Sequence, residues 1–201
     1  MISYIVLVII SYLLGNISTS TIIAKKMFNV DIRTQGSGNP GSTNVLRTLG
    51  KKAGAMTFAG DLLKGLVAVL IARGIAILTG IDEVTAAYVA VIAVVSGHNW
   101  PISLGFKGGK GVATSLGAMI GMNPVIALSC FGIFLVIVAI TRYVSLGSIV
   151  GIAASPLFMI ATQNKKGIVV TLFLTISVIY THRENIKRLI NGTERKIGAK
   201  K

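Results

Sequence analysis

Four short segments of this 201-residue chain gather glycines, hydroxyls, amides or imidazoles, with Lys or Arg in or beside three of them. The first reads Gly36-Ser37-Gly38-Asn39-Pro40-Gly41-Ser42-Thr43-Asn44, with Arg47 just after it. The second is Gly97-His98-Asn99-Trp100-Pro101, and the third is Phe106-Lys107-Gly108-Gly109-Lys110-Gly111-Val112-Ala113-Thr114. The fourth is Thr181-His182-Arg183-Glu184-Asn185. Bare backbone N–H groups next to Lys or Arg form sites for anions. The anion that fits is phosphate.

Ser37, Gly38, Asn39, Gly41, Thr43 and Asn44 are turn formers, so a plain surface turn is the simplest reading of that stretch. Its length and its ending suggest more. Thr43 or Asn44 is expected to cap a helix whose first turn brings Arg47 round, placing N–H donors and a guanidinium at one point. The Lys107, Gly108, Gly109, Lys110, Gly111 run lacks the G-x-x-x-x-G-K-[ST] spacing, which excludes nucleotide hydrolysis of the P-loop kind. It still sets two lysines before a helix N-terminus with partial positive charge. Snorkelling lysines would explain the cations but not the glycines.

His182 and Asn185 stand three apart on one helical face, where a neutral imidazole can orient a hydroxyl or take its proton. A basic helix lying on anionic lipid accounts for Lys187 and Arg188 but not for these two. His98 reads as a packing or hydrogen-bonding residue beside an interfacial Trp100. Asp61 and Lys64, at i and i+3 in an apolar run, read as a mutually neutralising structural pair.

The elements that carry these residues are apolar. The chain is 53% hydrophobic with mean hydropathy +0.78, which marks an integral membrane protein. Apolar runs fall at 2–24, 53–80, 84–97, 112–122, 124–140, 146–161 and 168–180. The expected fold is all-α: one polytopic transmembrane domain over 1–201, of about seven helices, some short, with a basic tail at 192–201. Residues 1–14 lack a basic n-region and a cleavage site, so they read as a first span.

Net charge is +14, explained by positive charge kept on the cytoplasmic side and not by nucleic acid. Seven crossings with the N-terminus outside place sixteen Lys and Arg inside and two outside. If 112–122 dips and returns, the split becomes ten against eight. Seven crossings are therefore expected. All four motifs, and the Arg142-Tyr143-Val144-Ser145 turn, then face the cytoplasm.

Other chemistries are excluded by what is scattered or absent. No carboxylates cluster on the cytoplasmic side, so a carboxylate-held metal is not expected. Neither histidine begins a His-x4-Asp dyad, there is no Gly-x-Ser-x-Gly elbow, and a lone Cys130 forms no disulfide.

In order and across essentially the whole chain, three motifs resemble those of the bacterial acyl-phosphate:glycerol-3-phosphate acyltransferase (PlsY) family. They are Gly-Ser-Gly-Asn-Pro-Gly-Ser-Thr-Asn, Gly-His-x6-Gly-Phe-Lys-Gly-Gly-Lys-Gly-Val-Ala-Thr and His-Arg-Glu-Asn-Ile-x-Arg-Leu. The resemblance implies an inner-membrane enzyme, its site facing the cytoplasm. Such an enzyme moves a fatty acyl group from acyl phosphate to the 1-hydroxyl of sn-glycerol 3-phosphate, with no cofactor and no metal. Its partners are those two phosphates and membrane lipid. On this reading the 37–44 loop with Arg47 and the 107–111 loop bind the phosphoryl groups, with Ser37, Arg47 and Lys107 acting on the departing phosphate. Ser145, His182 and Asn185 orient the glycerol, and the proton acceptor is either His182 or a substrate phosphate oxygen. The tail from 195 to 201 carries no expected chemistry. Two other readings fit the same features: a phosphate-ester or anion transporter, and a scaffold that holds anionic lipid through its tail.

Overall fold

A computed structural model describes residues 1–198; Lys200 and Lys201 of the basic tail lie outside the described residues. Among the described residues the regular structure is entirely helical, and the chain divides into two compact units, 1–122 and 123–201. Five helical segments are long and apolar enough to cross a membrane: Ile2–Phe28, Lys51–Thr79, Glu83–Leu104, Pro124–Thr141 and Val144–Ala161.

The first unit opens with α1 (Ile2–Asn16) and α2 (Thr19–Phe28), so the expected run over 2–24 is broken at Ile17 and Ser18. A break inside lipid strands carbonyl groups that need donors. Lys64 supplies them: its Nζ donates to Gly15 O at 3.1 Å and Ile17 O at 2.7 Å. Its charge is met by Asp61 Oδ1 at 3.1 Å, so the pair is structural, as its spacing suggested.

A short 3-10 turn at Ile32–Thr34 leads through a loop to α3 (Ser42–Leu49). The apolar side of α3, Val45 and Leu49, packs with Ile23, Ala24, Val30, Ile32 and Ala53. That burial leaves the Arg47 side of the helix for polar work. Next comes α4 (Lys51–Thr79), 29 residues and therefore about 43 Å long. It is followed by α5 (Glu83–Asn99), capped by Asp82, and by α6 (Val112–Met122). A methyl group at Gly117 of α6 would strike the Leu62 carbonyl of α4, so these two helices touch backbone to backbone.

The second unit contains α7 (Pro124–Thr141), α8 (Val144–Ala153), α9 (Ser155–Ala161), α10 (Lys165–Thr181) and α11 (Arg183–Ile190). Asn123 caps α7 by accepting from Ile126 N at 3.1 Å. The expected tight turn between the fifth and sixth runs is present: Arg142 adopts a left-handed conformation (φ 64°) and α8 starts two residues later. The run over 146–161 is split where Pro156 enters α9, since proline has no N–H to continue the ladder. Along α10, Thr171, Thr175 and Thr181 donate to carbonyls four residues back, which hides their hydroxyls from lipid.

Candidate active site

In the first unit, three of the four motifs meet. Asn39 Nδ2 donates to Gly108 O over 3.5 Å, joining the loop before α3 to the loop before α6. Ser37 and Lys107 are exposed at these loops, Gly38, Asn39, Gly41 and Thr43 are partly buried, and Arg47 is half-buried in the last turn of α3.

The cap expected at Thr43 or Asn44 is not what forms. Gly41 is the N-cap, in extended backbone, and no side chain bonds the first turn. Asn44 lies inside the helix and faces back onto the loop. It accepts from Ser37 N at 2.9 Å, and its Nδ2 donates to Gln35 O at 2.9 Å and Ile32 O at 3.4 Å. Loop backbone must find partners: Asn44 supplies the acceptor for Ser37 N and adds a second donor to the Ile32 and Gln35 carbonyls, which already accept from Gln35 N and Gly38 N. The loop is thus folded around Asn44, leaving its glycine-rich crest outward.

The second loop rests on the end of α5. Gly108 N donates to Asn99 O at 3.1 Å and Gly109 N to His98 O at 3.0 Å. A Cβ at Gly109 would collide with the imidazole of His98. Gly111 has φ +77°, and a Cβ there would sit 2.6 Å from Asn99 Oδ1. Neither position tolerates a side chain, which is why Gly109 and Gly111 flank Lys110 here. Ser115 N closes the first turn of α6 on Gly111 O at 2.7 Å.

In the second unit, Ser145 and Asn185 come together on a residue that sequence reasoning passed over. Ser145 Oγ donates to Glu194 Oε1 at 2.8 Å, Asn185 Nδ2 donates to the same oxygen at 2.7 Å, and Arg188 Nε donates to Oε2 at 2.8 Å. Burial works to raise the Glu194 pKa, but the hydrogen bonds from Asn185, Arg188 and Ser145 outweigh it and hold the carboxyl below its ordinary range. The tail is anchored as well. Ile197 N donates to Arg142 O at 2.8 Å, Arg142 Nη2 donates to Ile197 O at 2.9 Å, and Lys196 Nζ lies 5.5 Å from the Tyr143 ring centre. These contacts give the first residues of the 195–201 stretch a structural anchor and assign them no chemistry. The available signal was Glu194 itself, an acid set just behind an Asn-Gly turn and six residues after Arg188.

His182 forms the junction of α10 and α11 and is 3% exposed. Its Nδ1 is 2.9 Å from Val178 O. A carbonyl only accepts, so Nδ1 carries the proton and a neutral ring has its lone pair on Nε2. That is the tautomer a proton acceptor requires.

A family model described as Glycerol-3-phosphate acyltransferase matches residues 5–192. A glycerol-3-phosphate acyltransferase of Clostridioides difficile (strain 630) is 69% identical over 199 residues, covering 99% of this chain and 98% of the relative. One from Geobacter sulfurreducens is 46% identical over 200 residues, covering 99% and 100%. Among solved structures, PlsY (YgiH), an integral membrane glycerol 3-phosphate acyltransferase, superposes in its glycerol 3-phosphate form with TM-score 0.88 at 43% identity, covering 98% of this chain and 96% of that one. Its lysophosphatidic acid form gives 0.86 at 42%, with the same coverage. With its motifs, its helices and its likeness running nearly end to end, this chain belongs to the glycerol-3-phosphate acyltransferase family.

Proposed function

We propose that the chain uses acyl phosphate to acylate the 1-hydroxyl of sn-glycerol 3-phosphate at the cytoplasmic face of the bacterial inner membrane. The hydroxyl oxygen attacks the acyl carbon and the carbon–oxygen bond to phosphate breaks. Inorganic phosphate leaves with the electron pair, and the hydroxyl proton passes to His182 Nε2 or to a phosphate oxygen. The product is 1-acyl-glycerol 3-phosphate. Relatives solved with glycerol 3-phosphate and with lysophosphatidic acid support this pairing of substrate and product.

The observation that carries the reading is the junction of the two glycine-rich loops through Asn39 and Gly108. Ser37 stands on one of the joined loops, with Arg47 in the helix after it, and Lys107 and Lys110 stand on the other, which supports a shared phosphate site. Each substrate carries a phosphoryl group of about −1.5 to −2 charge near neutrality, and fixed cations and amides stabilise charge building on the departing phosphate. An acyl phosphate is already activated, so positioning and electrostatics suffice without a metal or covalent nucleophile.

Purified protein mixed with palmitoyl phosphate and glycerol 3-phosphate, with chelator present, is expected to yield lysophosphatidate. Arg47→Ala and Lys107→Ala should each lower kcat/KM by about 10²- to 10³-fold, Lys107→Ala partly through a raised KM. His182→Ala should lower kcat by about 10²- to 10⁴-fold. If it keeps its kcat, the phosphate oxygen is the base. Product formed only from acyl-CoA, or no product at all, would overturn the proposal.

A further inference from the structure

The buried Asp61, Lys64 and His98 cluster is not used by the transfer described above, although charged side chains within a span are retained for a reason. Lys64 has a structural task at the α1–α2 break, and Asp61 balances its charge. His98 does neither. Its Nδ1 is 3.7 Å from Asp61 Oδ1, too long for a hydrogen bond, and the residue is 7% exposed. The ring edge bearing Nε2 lies directly against the backbone of Gly109.

The next residue does the same for the far side of the loop. Asn99 is 3% exposed, its amide lies against Gly111, and neither Oδ1 nor Nδ2 has a hydrogen-bond partner. The carbonyls of the same two residues receive Gly109 N and Gly108 N. Two consecutive residues at the end of α5 thus shape the whole 108–111 segment from beneath. Trp100 O, next in line, accepts from Tyr12 Oη at 2.8 Å, which fixes this end of α5 to α1.

We infer that His98 is a positioning residue for the 107–111 loop: its imidazole, set between the Asp61–Lys64 pair and Gly109, props the loop in the shape that receives a substrate phosphoryl group. The inference rests on the reading of that loop as a phosphate site. It makes His98 a support that touches the loop and not the reacting atoms. The closeness of ring and backbone also means that Gly109 and His98 act as one unit.

The probe is inorganic phosphate as a competitive inhibitor, measured with full-length protein in detergent. His98→Ala should raise the inhibition constant of phosphate by about tenfold, the size seen when the support behind a ligand is removed, with kcat changed less than about threefold. His98→Gln, whose longer amide reaches the Nε2 position, should recover most of the loss. Gly109→Ala should weaken phosphate binding by forcing the loop off the ring. Adding His98→Ala to it should cost little more, because the ring it struck has gone; such coupling is typical of residues in contact.

A fall in kcat with an unchanged inhibition constant would overturn the inference, because His98 would then act in the chemistry. Fully multiplicative effects of Gly109→Ala and His98→Ala would also overturn it; if the His98→Ala protein does not fold, an inhibition constant left unchanged by Gly109→Ala overturns it instead. Lys107→Ala separates the two levels. If Lys107→Ala leaves phosphate inhibition unchanged, the loop is not a phosphate site and the underlying reading fails. If Lys107→Ala weakens inhibition while His98→Ala does not, only the role of His98 fails.

Discussion

Glu194 holds three donors on two oxygens, and this fixes what its neighbours can offer a ligand. With Nδ2 committed to the carboxylate, Asn185 keeps its Oδ1 as an acceptor; with its proton committed, Ser145 keeps its oxygen lone pairs. The carboxylate must be ionised to accept all three bonds. Because the folded pKa lies below the ordinary range, its stabilisation is complete above the unfolded value of roughly 4.3. It is lost as pH falls through the lower folded value. Glu194→Gln keeps the shape but leaves Arg188 facing an amide. The variant should melt below the parent from pH 8 down to pH 5, and the gap should close as pH falls below about 4. A gap that is constant down to pH 3 would show that ionised Glu194 contributes nothing. Ser145, Asn185 and the Arg188–Glu194 spacing were visible in the sequence, but not their convergence. Ser145 and Glu194 are 49 residues apart, and no local pattern tells an acid that ends a domain from one that organises it.

At the scale of elements, what could be read from sequence was periodic or punctuated. The α7 and α10 helices follow from unbroken apolar runs, and the α8–α9 split follows from Pro156. The break between α1 and α2 carries no proline, and its stabilising donor comes from another helix 47 residues away. It was invisible for that reason. Asn44 misled in the same manner: it has the chemistry of a cap, and only the fold of the 35–41 loop assigns it elsewhere. Lys64 at the break makes a direct prediction. Lys64→Met removes two hydrogen bonds to carbonyls and leaves Asp61 as an uncompensated buried charge, at a cost of about 3–5 kcal/mol. Thermal unfolding in detergent should show a large fall in Tm. The Asp61→Leu/Lys64→Met double variant should recover part of it, because the orphaned charge is gone while the carbonyls at the break still lack donors. A single variant as stable as the parent would remove Lys64 from this role.

For the whole molecule, the question is how the helices thread the bilayer. The hydrocarbon core is about 30 Å thick, and a helix rises about 1.5 Å per residue. The 29 residues of α4 exceed that span, whereas the 11 of α6 reach only about 16 Å. Length alone would make α6 a re-entrant segment. Charge argues the other way, since a full crossing leaves only Lys165 and Lys166 on the outer side while a return divides the cations almost evenly. A short helix that crosses completely must sit where the bilayer is thinned or where its flanking residues lengthen it. The segment after α9 distinguishes the two threadings, because it faces outward only if α6 crosses. In a Cys130→Ala background, a membrane-impermeant maleimide should label Thr162→Cys in intact spheroplasts. Gln35→Cys, in the exposed loop before α3, should be labelled only after the inner membrane is opened. Labelling of Thr162→Cys that also requires opening would mean that α6 turns back. The Ser145 turn and the Asn185 helix would then face outward, away from a cytoplasmic pool of glycerol 3-phosphate, and the proposed division of labour among the loops would fail with the topology.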